Sequence, residues 1–149
     1  MTKFTQIKAA GSLLAVLLAA PGQPRQAAPA SQVQVARRFL LAVLGGEYPA
    51  AYALLAPEVQ AAVPLARFQT VAQPIRQQGQ RRGPAIDLYK LGFRLRDHQA
   101  PQAFVAFMFK SDTLQARPEV QLDVTFRDST ARRVLGFGLV PAPRVGGKK

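Results

Sequence analysis

The sequence predicts an α+β domain in which N-terminal helices pack on one face of an antiparallel sheet of about four strands. Apolar residues recur at helical spacing from residue 32 to about residue 79, and after residue 84 the pattern switches to alternation. The helices are thus gathered on the N-terminal side and the strands on the C-terminal side.

Each element has its own warrant. Ser31 is a helix cap, and Ala36, Phe39, Leu40, Val43 and Leu44 form one stripe until Gly45-Gly46 stops it, giving a helix over about 32–44. Pro49 suits a first helical turn with Glu47 at its positive end, and Pro57 splits the following stretch into two short helices. Pro64 opens a third segment carrying Leu65, Phe68, Val71, Ala72 and Ile75. Gly79 is expected to end it, and Pro74 to kink or shorten its last turn. Tyr89, Leu91, Phe93 and Leu95 then alternate with Lys90, Gly92, Arg94 and Arg96, as a strand with one buried and one wet face requires. Ile86 and Leu88 fall on the opposite phase, so a bulge is expected near Leu88. The run from Phe104 to Phe109 is apolar on both faces and predicts a central or doubly covered strand. Val120, Leu122, Val124 and Phe126 pair as a hairpin with a last strand over about 133–139, ended by Pro141 and Pro143.

The 149 residues suit one ordinary domain. With no Cys, thiol chemistry, disulfides and Cys-based metal sites are excluded. Residues 1–20 read as a secretory signal: Lys3 and Lys8 precede an apolar run from Ala9 to Ala20, too short for the roughly 20 residues of a membrane span. Cleavage could fall as late as Ala30. The reading is therefore an exported protein, periplasmic or extracellular, with no stable membrane span. Residues 21–30 form a Pro/Ala/Gln linker, 31–141 the domain, and 142–149 a basic tail. The formal net charge is +12, but between residues 31 and 140 it is 14 basic against 8 acidic residues. The Arg richness and the missing Asn also fit a GC-rich coding sequence. Outside the cytoplasm such charge meets acidic polysaccharides and lipid phosphates before nucleic acid, which drops down the list of partners.

The segments "LLAVLGGEYPAAYALLAPEVQ", "FQTVAQPIRQQG" and "RRVLGFGLVP" resemble small exported NTF2-like (cystatin-like fold) domains of unknown function. The resemblance spans residues 33–141 and implies a curved sheet wrapped against the helices as a cone with an apolar pocket at its open end. Its members include isomerases, dehydratases and catalytically inert binding or dimerisation modules. A homodimer through the outer sheet face is common among them, although Arg94, Arg96, Asp123, Thr125 and Arg127 make that face polar here.

In such a cone an isomerase needs a carboxylate base and a hydroxyl donor, and the best pair on offer is Asp87 with Tyr89. The plainer reading makes Asp87 a solvated strand end and Tyr89 a core-edge aromatic. Asp123 reads as part of a solvated face. His98, the sole His, reads as a turn residue, so no metal site is expected, nor any cofactor. Tyr52, Phe68, Phe93, Phe107 and Phe109 either line an apolar ligand pocket or fill the core. Arg37 of the Arg37-Arg38 pair, Arg81, Arg82, Arg132 and Arg133 are the candidate anion-binding set, set against simple solubilising charge. The leading functional reading is a non-catalytic module binding a small ligand or an envelope protein. The alternatives are an isomerase- or dehydratase-like enzyme using Asp87 and Tyr89, or a basic module for acidic envelope polymers.

Overall fold

Ser31 opens the first helix as a reciprocal capping box: its hydroxyl accepts from Gln34 N–H at 3.2 Å, and Gln34 Oε1 accepts from Ser31 N–H at 2.8 Å. The computed structural model describes residues 27–142. The export signal, most of the 21–30 linker and the tail from residue 143 therefore lie outside the described residues. Helix α1 (Gln32–Gly45) ends at Gly46, whose φ of 75° is left-handed and against which the Arg76 guanidinium lies. Two short helices, α2 (Tyr48–Tyr52) and α3 (Pro57–Ala62), each carry a Pro in the first turn.

Helix α4 (Leu65–Arg82) runs through the expected stop at Gly79 and ends at Gly83, with φ 89°. The reason is packing. Gly79 continues the buried stripe of Phe68, Ala72 and Ile75, and a Cβ there would sit 2.6 Å from Leu44 Cδ2. It is a contact glycine that lets α4 approach α1. Pro74 lies on the exposed side of α4, where the helix continues past it.

The sheet is a curled, unclosed antiparallel meander of β1 (Ile86–Arg94), β2 (Gln102–Phe109), β3 (Val120–Phe126) and β4 (Gly136–Pro141), in that order. The bulge lies between Leu88 and Lys90, where the change of phase in the sequence asks for it. The last strand starts later than expected because Val134 is diverted to Leu55: Ala56 N–H donates to Val134 O at 2.8 Å, and Val134 N–H to Leu54 O at 2.9 Å. Among the described residues no helix is long and apolar enough to cross a membrane.

Val105, Phe107, Phe109, Leu122, Val124 and Phe126 face the helices and are fully buried or nearly so, against Phe39, Leu40, Val43, Phe68, Ala72 and Ile75. Burying each of these side chains other than Ala72 stabilises the fold by about 2 kcal/mol. Helix α1 contacts β2 and β3, and α4 contacts β4. The helix layer is therefore centred on β2 to β4: Ile86 at the start of β1 is buried, but past the bulge the apolar face of β1 is left uncovered by the described residues. Leu91 and Phe93 stand in register with the buried Val105 and Ala103, yet they are 61% and 58% exposed. The buried face expected of this strand is exposed because the helices do not reach it.

Candidate functional site

The outward face of the sheet, turned away from the helices, builds the most chemically distinctive site. Lys90, Ala106, Asp123 and Gly138 form one row across the four strands. Ala106 contributes only a methyl and Gly138 nothing, so the row is a trough with Asp123 in its floor. Arg94 crosses it diagonally. Its guanidinium carbon lies 4.8 Å from the centroid of the Phe104 ring, and its Nη2 donates to Asp123 Oδ2. Phe104 has room to lie there because its partner on β1 is Gly92, where an added Cβ would come within 3.3 Å of the ring. Gln121 Nε2 donates to Asp123 Oδ1. Both carboxylate oxygens are thus answered, and Asp123 is only 3% exposed rather than part of a solvated face.

Beside this cluster lies a groove of about 390 Å³, lined by Tyr89, Lys90, Arg94, Arg117, Gln121 and Val140 among others, with no acidic residue in its wall. Lys90 holds its ammonium 5.3 Å from the Tyr89 ring centroid. Among the described residues neither Lys90 nor Arg117 enters an ion pair. The groove therefore joins two unanswered cations to an aromatic ring and an amide. In a half-exposed site an anion about 4 Å from one such cation gains roughly 4 kcal/mol of Coulomb attraction before desolvation and salt screening.

Of the acid/base pair read from the sequence, Tyr89 enters this groove from the bulge. Asp87 precedes the bulge in register with Met108 and does not line the groove. Four of the five apolar candidates gather in the core, where Tyr52 packs on Phe68 with ring centroids 5.6 Å apart, and Phe93 stands apart from them. Phe68, Phe107 and Phe109 lie wholly in the core. Tyr52 is half-buried, and its hydroxyl sits 2.9 Å from Gln60 O and 2.7 Å from Val63 O, tying α2 to α3. Phe93 lines a separate cleft of about 200 Å³ with Val33 and Leu91.

The arginine candidates are spread as well. Arg37 donates to Ile86 O at 2.9 Å and lies over the Phe107 ring at 5.2 Å. Arg82 bridges Asp112 at 3.2 Å and Glu119 at 2.6 Å, and its hydrogen bond and charge hold the Glu119 carboxyl below its ordinary range. Arg81 beside it is exposed. Arg132 folds back on its own loop, donating to Thr130 O at 2.7 Å, and Arg133 donates to Ala53 O. Arg82 meets the residue before β3 whereas Arg132 and Arg133 follow the loop after it, so the pairs sit at opposite ends of that strand.

Lys90, Arg94 and Gln121 read from the sequence only as the wet phase of two strands, and nothing in the sequence singles out Arg117, which lies in the loop before β3. The signal available was their phase: aligning the three strands as a meander sets Lys90 and Asp123 in one row. No family model, curated protein or solved structure matches the chain.

Proposed function

We propose that the chain is an exported, non-catalytic binding module of NTF2-like fold that holds a small anionic ligand in the groove on the outward face of its sheet. The observation that carries this reading is the pairing of a groove of about 390 Å³ with Lys90 and Arg117, two cations that enter no ion pair among the described residues. Arg94 is occupied by Asp123 and serves as wall, while Tyr89 and Val140 offer apolar surface to the body of the ligand. A small organic phosphate, sulfonate or carboxylate fits that chemistry better than the purely apolar ligand anticipated from the sequence. Export rests on the pattern of residues 1–20, and the NTF2-like assignment on the motifs of residues 33–141 together with the order of helices and meander.

The test is a titration of the ¹⁵N-labelled protein with phenyl phosphate, followed by amide shifts. The expected result is saturable shifts at Tyr89, Lys90, Arg117 and Gln121 that weaken with added salt and weaken about five-fold or more in Arg117→Ala. Shifts spread equally over Arg81 and Arg132, unchanged by Arg117→Ala, would overturn the reading.

A further inference from the structure

We propose that the free edge of β1 takes up an extended segment of a partner protein in which acidic and apolar side chains alternate. β1 is an edge strand of an unclosed sheet, so among the described residues one side of its main chain has no strand partner. At its start it is tied to the helix layer by the bond from Arg37 to Ile86 O. Beyond that point its helix-side face carries Leu91 and Phe93, more than half exposed, and Leu95 continues the stripe at 80% exposure. The cleft of about 200 Å³ between this stripe and Val33 of α1 gives apolar side chains a place to lie. On the opposite face the same strand presents Lys90 and Arg94, with Arg96 just beyond.

A strand added to this edge receives main-chain hydrogen bonds from β1, and its alternate side chains fall on the two faces. Those on the helix side meet Leu91 and Phe93, and those on the outward side meet Lys90 and Arg96. Apolar residues alternating with Asp or Glu satisfy both. Charge complementarity selects this occupant over a second copy: β1 laid against β1 gathers Lys90 and Arg96 of both chains on one face, and like charges directly across a strand pair are destabilising. An acidic polysaccharide is disfavoured as well, since it leaves Phe93 wet and the main-chain edge unpaired.

The experiment uses the full chain and a fluorescent nine-residue peptide of alternating Val and Glu with blocked ends, read by anisotropy. The expected result is saturable binding with slowed amide exchange along β1. The binding weakens about ten-fold in Phe93→Ser and in Arg96→Glu, both exposed positions where the fold is not at stake. It is lost when the peptide is N-methylated throughout or when Lys replaces Glu. Equal binding of the Lys or N-methylated peptide, or binding indifferent to both variants, would overturn the proposal. So would a homodimer in sedimentation equilibrium that Phe93→Ser dissolves, since the edge would then serve a second copy. The outcome is separable from the groove reading, because phenyl phosphate binding is followed at Arg117 and Gln121 and is unchanged by Phe93→Ser.

Discussion

Arg94 reaches from β1 over the Phe104 ring on β2 to pair with Asp123 on β3, so one side chain spans three strands and closes the outward face over a buried carboxylate. Breaking a buried ion pair costs about 3–5 kcal/mol. Arg94 is 38% exposed and can turn to water, which brings the expected cost of Asp123→Asn down to about 2 kcal/mol. The same substitution frees Arg94 for a ligand, so phenyl phosphate should bind more tightly. Urea unfolding reads the first effect and the amide titration the second. Unchanged stability together with weaker anion binding would contradict this account of the pair.

Gly79 is where helix propensity and packing oppose each other. Ala is favoured over Gly in a helix interior by about 1 kcal/mol, but its methyl would meet Leu44 Cδ2 at 2.6 Å. Overpacking costs about 1–3 kcal/mol, so Gly79→Ala should destabilise by about 1 kcal/mol. In a Leu44→Ala background the clash is gone and the same change should stabilise. Thermal unfolding of the four proteins of the cycle checks the change of sign.

Tyr52→Phe removes the hydroxyl that meets the carbonyls of Gln60 and Val63. The expected loss is about 1 kcal/mol, with faster amide exchange localised to α3. Uniformly faster exchange would show that the contact does not hold α3 in particular.

Two surface carboxylates contribute to the acid limb of stability. Glu119 is held below its ordinary value of 4.5 by Arg82, and Asp128 below 3.8 by the Thr130 hydroxyl and the backbone N–H groups of Thr130 and Ala131. A lowered folded pKa gives a contribution that is complete above the ordinary value and is lost as pH falls through the folded one. Stability should therefore decline below about pH 4.5. Arg82→Gln should flatten the Glu119 part of that decline and Thr130→Val the Asp128 part, as read by thermal midpoints between pH 7 and pH 2.

Much of the fold was legible because its signals are local. Ser31 as a cap, Pro49 in a first helical turn, Pro57 as the break between two short helices, and the reversal of phase at Leu88 all act within a few residues of chain. Gly79 misled because a Gly that ends a helix and one that admits a neighbouring helix look the same until Leu44 is placed against it. The site was hidden for a related reason. Asp123 is buried by Arg94, 29 residues earlier in the chain, and no spacing rule links residues brought together by register across an intervening strand. Phe93 looked like core because its phase is right. Its exposure depends on where the helices stop, which its own strand does not encode.

The central claim is that the groove beside Asp123 holds a small anionic ligand, and native mass spectrometry of the protein gently recovered from its own cells tests it most directly. The account predicts a reproducible mass excess from an acidic compound that dissociates with added salt and is absent from a Lys90→Ala/Arg117→Ala variant prepared in the same way. Bare protein in both preparations, or an excess that the variant retains in full, would contradict it.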